Sequence, residues 1–296
     1  MSESTNISWT HHTRNFWTGC TKVSPACAHC YAETMAKRNS TTFGQWGRGA
    51  PRKWHGETAR ADLIRWNRKA VAAGERRLVF LNSMSDWLDD EVPIEWLMKL
   101  LDAIRITPHL THLLLTKRPE NFRPRLEAIL AAMPRNGITL QQSAFIGRIE
   151  VMLRGWNTYT YISPELGREN YWIGTTVEDQ ARADERIPHL LDIPATTRFL
   201  SCEPLLEALE FSNVTHRKDS ASIMGKPALH GIHWVIVGGE SGAGHRHFDH
   251  AWARSIRDQC TAAGIPFHMK QMGGFRPSSM TPIPEDLLIR QWPALT

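Results

Sequence analysis

Three cysteines near the amino terminus have the types and spacing of metal ligands. Cys20, Cys27 and Cys30 fall within eleven residues of the turn-rich segment WTGCTKVSPACAHCYAE. The two-residue gap between Cys27 and Cys30 is common among thiolate ligands, whereas the six-residue gap before Cys27 needs a longer loop. A helix is expected to begin near Tyr31, so the three thiolates could converge on a metal from one side.

Three thiolates leave the choice of metal open. They are too few to close a structural zinc site unless His29, His11 or His12 supplies the fourth ligand. They suit an iron–sulfur (4Fe-4S) cluster that keeps one iron open to an external ligand. Ordinary buried cysteines are the remaining alternative. Cys260 lies in an amphipathic helical pattern and is expected in the core.

A repeated pattern predicts the elements that position this loop. Six short β-rich runs end in polar residues, and a helical stretch usually follows. Their three to five apolar residues are typical of strands buried on both faces of a parallel sheet. A further strand near residues 7–9 or 14–17 would give about seven. The six runs are LVFLNSMSD (78–86), HLLLTKRPE (112–120), YWIGTTVED (171–179), TRFLSCEPL (197–205), HWVIVGGESG (233–242) and PFHMKQMGG (266–274).

The segments between the strands carry helix signals. Asp249 is a cap for a helix that ends at Gly264, and Pro93 begins another. Pro188 is expected to bend or split the helix that follows Glu178. Every strand ends in functional-looking side chains, which favours an α/β fold with an open or incomplete (β/α) barrel over a doubly wound sheet. We expect one barrel domain over 1–296, with loop insertions at about 39–60, 136–170 and 212–232.

Composition excludes some classes of protein. The chain has 296 residues, of which 42% are hydrophobic, and this is enough for a large core. Its formal charge of +5 is too small to prove a polyanionic partner. No apolar run approaches the ~20 residues of a membrane span, and the amino terminus does not have a secretory pattern. We therefore expect a cytoplasmic protein without a membrane partner.

The insertion at about 39–60 combines aromatic and basic residues, as recognition of single-stranded or flipped-out nucleotides requires. The alternative is a solvated loop whose aromatics anchor it to the barrel. Trp9 and Trp17, like Trp46 and Trp54, could plug the bottom of the barrel or pack under loops. Similarly, His245 and His247 could be acid–base groups, metal ligands or part of a polar loop. The possible nucleic-acid or nucleotide contacts in the insertion are Trp46, Arg48, Arg52, Lys53 and Trp54.

Over nearly its full length the chain resembles the radical S-adenosylmethionine superfamily, in a divergent phage- and prophage-associated branch. The resemblance depends on WTGCTKVSPACAHCYAE, NSMSD, TKRPE, SCEPL and GGESG, in that order. Two features depart from the superfamily pattern. The usual cysteine spacing is three residues and then two, and the Gly-Gly-Glu motif normally follows the second strand, whereas here it is Gly238-Gly239-Glu240. No role is carried over to Glu240.

The resemblance implies a barrel of the radical S-adenosylmethionine type, a 4Fe-4S cluster on the three cysteines, S-adenosyl-L-methionine bound at the open iron, and an electron donor such as flavodoxin. Holding this cofactor calls for acidic, basic and hydroxyl groups at the strand ends. Helix capping and loop salt bridges are the alternative roles for these residues. The candidate catalytic residues are Asp86, Lys117, Glu178, Glu203 and Lys270. The candidate cofactor-binding residues are His29, Ser83, Asp86, Thr175, Glu178, Ser201 and Gly239.

The functional hypothesis is a radical enzyme that modifies a nucleobase or nucleotide. The branch that the chain resembles suggests isomerisation of an amino-acid-decorated thymidine in phage DNA hypermodification, which would take place in the host cytoplasm. A radical lyase that repairs a pyrimidine lesion is one alternative. A zinc-bearing nucleic-acid-binding protein without catalysis and a partner protein on a decayed barrel are the others.

Overall fold

A computed structural model describes residues 5–39, 41–134, 136–154, 169–214 and 229–295. Its strands are β1 (His12–Arg14), β2 (Trp17–Thr18), β3 (Lys53–Trp54), β4 (Arg77–Leu81), β5 (Leu110–Thr116), β6 (Tyr171–Thr176), β7 (Arg198–Cys202), β8 (Trp234–Gly238) and β9 (Phe267–Gln271). Its α-helices are α1 (Tyr31–Arg38), α2 (Gly56–Ala73), α3 (Ile94–Arg105), α4 (Phe122–Ala132), α5 (Leu140–Arg154), α6 (Gln180–Leu191) and α7 (His250–Ala263).

Seven strands form one parallel sheet in the order β1-β4-β5-β6-β7-β8-β9. The six strands predicted from the β-rich runs are confirmed. The seventh, β1, lies at the edge of the sheet and between the two alternative positions that the sequence suggested. The remaining strands, β2 and β3, form a separate antiparallel pair in which Trp17 lies opposite Trp54. This pair ties the insertion at 39–60 to the segment that leads into the cysteines.

The sheet is curled into a half-barrel. The ring of Trp9 lies 4.6 Å from the ring of Phe80 on β4 and 6.3 Å from that of Trp234 on β8, measured between centroids. These two strands are separated by three others in the sheet, so one indole can contact both only if the sheet bends around it. The open or incomplete barrel is thus confirmed at the level of a curled parallel α/β sheet.

The concave face has an aromatic floor, and the helices cover the opposite face. On β6, Gly174 faces this floor, where a Cβ atom would lie 2.5 Å from the ring of Phe199. Glycine is therefore required for Phe199 to fill the space. The buried residues of the floor are Trp9, Leu78, Phe80, Leu113, Trp172, Phe199, Trp234 and Ile236.

Three details of the helices bear on the sequence predictions. The side chain of Asp249 accepts a hydrogen bond from the backbone N–H of Ala251, and Gly264 ends α7 in the left-handed conformation, as expected. Pro93 is the N-cap of α3, also as expected. Of the two outcomes expected for Pro188, a bend or a split, the split does not occur. α6 runs through it to its end, because a proline in the last turn removes only one backbone hydrogen bond.

The insertion expected at 136–170 contains α5. This helix buries Phe145, Ile149 and Met152 in the core between the sheet and the helices, which makes it part of the packed fold. The insertion expected at 212–232 falls mostly outside the described residues. Among the residues described, no helix is both long and apolar enough to cross a membrane.

Candidate functional site

The concave face changes from apolar to polar toward the carboxyl ends of the strands. Because successive side chains of a strand alternate between faces, residues two or four positions beyond a floor residue point the same way as it does. This relation, together with the contact between Lys270 and Glu203, brings together five side chains that we call the polar layer. They are Lys117, Thr176, Ser201, Glu203 and Lys270, and the sequence had singled out four of them as candidate site residues.

An ion pair and an unpaired hydroxyl characterise the polar layer. The ammonium of Lys270 donates to the carboxylate of Glu203. Gly238 leaves room for this carboxylate, since a Cβ atom there would lie 3.3 Å from the Glu203 Cδ. The hydroxyl of Thr176 is buried and has no hydrogen-bond partner within the described part of the chain. Buried polar atoms are normally paired, so this hydroxyl is an exception within the polar layer.

The segment 20–30, here called the cysteine loop, lies across the ends of the strands. Glu178, which follows β6, is completely buried, and one of its oxygens accepts a hydrogen bond of 3.1 Å from the backbone N–H of Ala26. The other oxygen accepts from Arg186 of α6 at 2.9 Å, and Arg186 also donates to the Thr176 carbonyl. A buried ion pair therefore fixes the middle of the loop to β6.

A second attachment comes from β8. The carboxylate of Glu240 accepts hydrogen bonds from Arg246, and its Oε2 lies 3.0 Å from Nδ1 of His29 in the cysteine loop. Arg246 also donates to the carbonyl of Pro25 at 3.0 Å. Burial raises the pKa of the Glu240 carboxyl, but hydrogen bonds from Arg246 and His29 outweigh it and lower the pKa to about 2. This carboxyl is therefore ionised at neutral pH.

The first cysteine is attached to β4 and β5. The guanidinium of Arg118 lies 3.8 Å from the Sγ of Cys20 and donates to the Thr21 carbonyl at 2.8 Å. Asp86 in turn binds Arg118 at 3.0 Å and accepts from the backbone N–H of Lys117. Burial, with a further contribution from Asp86, raises the pKa of the Cys20 thiol to about 12 against the opposing effect of Arg118.

The end of the loop is attached to β4. Cys30 is the N-cap of α1, which begins at Tyr31 as the sequence predicted. The hydroxyl of Tyr31 donates to the carbonyl of Ser83 at 2.7 Å, and the hydroxyl of Ser83 accepts from the amide of Asn15. Ser83 thus supports the loop mainly through its backbone.

The cysteines suit a soft metal by chemistry. All five cysteines of the chain are free, and Cys20, Cys27 and Cys30 are partly exposed whereas Cys202 and Cys260 are buried. Three partly exposed cysteines on one anchored loop are an appropriate donor set for an iron–sulfur cluster. In the residues that the structure describes, no three His, Cys, Asp or Glu side chains are close enough together to hold a metal ion. The metal site predicted from the cysteines stays a prediction.

Several predicted cofactor-binding residues are engaged within the protein. Thr175 is buried and donates to the Thr116 carbonyl at 2.9 Å, so its neighbour Thr176 is the threonine that faces the polar layer. Gly239 packs against the backbone of Gly273, only 2.3 Å from where its Cβ would lie, and this close contact requires glycine. Asp86 and Glu178 hold backbone groups and arginines, which makes them positioning residues for the cysteine loop.

The aromatic-basic insertion divides into a buried and an exposed part. The side chain of Arg52 is only 2% exposed and is paired with Asp89 and Glu91, so its guanidinium is committed to the fold. Trp54 packs on Phe16 and Trp96, with ring centroids 6.1 and 5.0 Å away. These contacts correspond to the anchoring role weighed for this loop. Of the five predicted nucleotide contacts, the structure leaves Trp46 half-buried and Arg48 and Lys53 exposed.

Sequence reasoning missed two arginines that hold the site together. Arg186 pairs with Glu178, and Arg246 binds both Glu240 and the cysteine loop. Arg246 stands between His245 and His247, and these histidines drew attention to the segment. A buried carboxylate needs a cationic partner, so the glutamates at the strand ends were a signal that arginines should be sought nearby.

No curated protein and no solved structure matches the chain. One family model does match, over residues 4–292, and it is described as a protein of unknown function, DUF5131. Because the match covers nearly the whole sequence, including the cysteine loop and every strand of the half-barrel, the chain belongs to the DUF5131 family.

Proposed function

We propose that this chain is a radical S-adenosylmethionine enzyme that modifies a nucleobase or nucleotide. The observation that carries the proposal is the attachment of the cysteine loop. Three thiols lie on a segment that Glu178, Arg118 and the Glu240–Arg246 pair fix across the carboxyl ends of parallel strands. In half-barrel and barrel enzymes these strand ends are where chemistry takes place.

Cys20, Cys27 and Cys30 would hold the cluster through their sulfur atoms. With S-adenosylmethionine, such a cluster supplies one-electron chemistry, for which a donor such as flavodoxin would deliver the electron. The protein keeps the thiols in place, because Glu178, Arg118 and Arg246 each join a charged side chain to a backbone group of the loop. Removing any one attachment would loosen the loop without removing a sulfur ligand.

The polar layer supplies the groups that orient an organic ligand. The Glu203 carboxylate and the ammonium groups of Lys270 and Lys117 complement a ligand that carries both an amine and a carboxylate. A methionine moiety and an amino acid attached to a base both have this zwitterionic character, so the layer suits the proposed cofactor and substrate alike.

For the substrate, we propose an amino-acid-decorated thymidine in phage DNA, on which the reaction would be an isomerisation. Support comes from the sequence resemblance and from the paired charges of the polar layer. A radical lyase acting on a pyrimidine lesion would give a different product. Mass spectrometry of nucleosides from DNA treated with active enzyme separates the two, and unchanged nucleosides across modified substrates would refute both.

The first test concerns the cluster itself. The full chain is purified without oxygen, reconstituted with iron and sulfide, reduced, and measured by electron paramagnetic resonance with and without S-adenosylmethionine. We expect a four-iron signal that shifts when S-adenosylmethionine is added and is lost in Cys27→Ala. Cys260→Ala is the matched control, because Cys260 is a buried thiol in α7 and its removal should leave the signal unchanged.

The opposite result is equally defined. Stoichiometric zinc with no uptake of iron, and no cleavage of S-adenosylmethionine, would refute the radical mechanism and favour a zinc-bearing nucleic-acid-binding protein. Loss of the signal in Cys260→Ala as well as Cys27→Ala, with both variants folded, would show that the cysteine loop is not the specific site.

A further inference from the structure

The positive charge of the chain is concentrated in one segment, residues 20–55, which holds the cysteine loop, α1 and the aromatic-basic insertion. This segment has six lysines and arginines and a single carboxylate, that of Glu33. Since the whole chain has 35 Lys and Arg and 30 Asp and Glu, the remainder has 29 of each and no net charge. The formal charge of +5 therefore lies beside the three cysteines.

Half of these six cations are engaged within the protein. Lys22 and Lys37 lie 2.7 and 2.9 Å from the carboxylate of Glu33, and Arg52 is paired with two carboxylates from outside the segment. The other three are exposed, and no carboxylate in the part of the chain that the structure describes pairs with them. They are Arg38, Arg48 and Lys53.

The helix α1 presents apolar side chains to solvent beside these cations. Tyr31 and Met35 are 48 and 44% exposed, whereas Ala32 and Ala36 on the same helix are buried. Arg38 follows Tyr31 by seven residues, so positions 31, 35 and 38 lie along one side of the helix over about 10 Å. An exposed aromatic ring and a free guanidinium are therefore on the same side of α1.

Backbone contacts join α1 and the insertion into one surface. Arg38 is the last residue of α1, and the ammonium of Lys53 on β3 donates to the carbonyl of Thr41, just beyond it. At the other end, the backbone N–H of Gly47 donates to the carbonyl of Cys20 at 3.0 Å. The insertion is thus attached at both ends of the segment that carries the cysteines.

We propose that this surface, here called the cationic face, binds a single strand of nucleic acid, with phosphates on the three free cations and a base stacked on Tyr31. Lysine and arginine contacts to phosphates supply the affinity for such a strand, and exposed aromatic rings stack its unpaired bases. The cationic face consists of Tyr31, Met35, Arg38, Trp46, Arg48 and Lys53.

The inference rests on the proposed function and specifies its substrate as a polymer. A base must be unpaired to reach the polar layer at the strand ends, which agrees with a single strand. An acidic protein would also complement the charge of the face. An exposed aromatic ring between separated cations favours the strand, and the test distinguishes the two partners.

The test measures binding of labelled oligothymidylate to the full chain by fluorescence anisotropy over a range of salt concentrations. The variant Arg38→Gln/Arg48→Gln/Lys53→Gln should lose about tenfold or more of the affinity, because three phosphate contacts are removed. Its plot of log K against log salt should be shallower by about 2, at about 0.7 for each phosphate of a single strand.

The matched control is Arg68→Gln/Lys69→Gln/Arg290→Gln. It removes the same charge from exposed positions in the second half of α2 and in the carboxyl-terminal segment. Since only the net charge changes, its affinity should fall by less than about threefold. Circular dichroism checks that both triple variants are folded.

A second pair of variants tests the stacking. Tyr31→Phe keeps the ring but loses the hydrogen bond to the Ser83 carbonyl, whereas Tyr31→Ala loses both. Tyr31→Phe should bind the oligonucleotide as the unchanged protein does, and Tyr31→Ala should bind about tenfold more weakly, because stacking needs the ring. Equal affinity of the two variants would overturn the stacking of a base on Tyr31.

Competitors decide the kind of partner. Unlabelled oligothymidylate should compete more strongly than dTMP or the same oligonucleotide in a duplex, and either of these competing equally well would overturn a single-stranded polymer. Poly-glutamate competing as strongly would identify an acidic protein as the partner instead. An absence of oligonucleotide binding, or equal losses in the two triple variants, would overturn the cationic face altogether.

The two proposals fail separately. Oligonucleotide binding that depends on the cationic face, without a cluster signal, would leave this face established and the radical mechanism refuted. A cluster signal without oligonucleotide binding would refute the face and leave the radical mechanism standing.

Discussion

Replacing Glu178 by glutamine tests whether a buried ion pair holds the cysteine loop. Glu178 is completely buried, and its carboxylate accepts from Arg186 and from the backbone N–H of Ala26. The amide of glutamine can still accept one hydrogen bond, but it leaves the guanidinium of Arg186, itself 3% exposed, without a counter-charge. Breaking a buried pair on one side costs about 3–5 kcal/mol. At about 2 °C per kcal/mol for a chain of this size, we expect the melting temperature to fall by roughly 6–10 °C.

The assay is thermal and urea unfolding followed by circular dichroism, together with the rate at which iodoacetamide alkylates Cys27 in the metal-free protein. The alkylation rate should rise, because Ala26 precedes Cys27 in the loop. Glu207→Gln is the control, since Glu207 is exposed and glutamine can keep its hydrogen bond from the Gln180 N–H; its effect should be within about 0.5 kcal/mol. Combining Glu178→Gln with Arg186→Met should recover stability, because no unpaired charge remains. A single Glu178→Gln variant as stable as the control would refute the reasoning.

Three further predictions concern the rest of the fold. Arg52→Ala should destabilise the protein by about 3–5 kcal/mol in urea unfolding, because it leaves Asp89 and Glu91 without their cationic partner. Arg48→Ala, at an exposed site, should change stability by less than about 0.5 kcal/mol. An equally small effect of Arg52→Ala would show that the guanidinium of Arg52 is not committed to the fold. Gly174→Ala should cost about 1–3 kcal/mol through overpacking on Phe199, and Gly174→Ala with Phe199→Leu should recover part of it; an unaffected single variant would contradict the close packing of the floor. Burial lowers the pKa of His112 to about 3 in the folded state, so between pH 6.5 and 3 the imidazole is protonated in the unfolded chain but not in the folded protein. Stability should fall as the pH drops from 6.5 toward 3, by up to about 1.4 kcal/mol per pH unit from this group, and the slope should lessen in His112→Gln.

The six main strands were predictable because a buried parallel strand has a distinctive composition. Each of the six runs packs apolar residues on both faces, and the structure places one strand in each. The curl was predictable only as a class of fold, because it depends on side chains distant in sequence. Trp9, which stands before β1, meets Phe80 and Trp234 only when the sheet bends. Nothing in the local sequence of Trp9 specifies these partners.

The candidate site was predictable in its residue types but not in its pairings. Glu178 and Glu203 were both candidate site residues because each follows a predicted strand. In the structure, however, Glu178 holds the cysteine loop, whereas Glu203 belongs to the polar layer. The difference arises from their partners. Arg186 reaches Glu178 from α6, whereas Lys270 reaches Glu203 from β9, and neither pairing follows from spacing in the sequence.

The carboxylates at the strand ends therefore fall into two groups with different consequences for function. Asp86, Glu178 and Glu240 bind backbone groups and arginines, so changing them should act through the position of the cysteine loop and should alter stability and thiol reactivity together. Glu203 pairs instead with a lysine of the polar layer, and its loss should alter ligand affinity more than loop position. Most of the charged residues at the strand ends hold the cysteine loop, so the thiols lie on a rigid segment, and a precisely placed cofactor requires rigidly held ligands. Because these charges are engaged with the loop, only the small polar layer is left to contact an organic ligand.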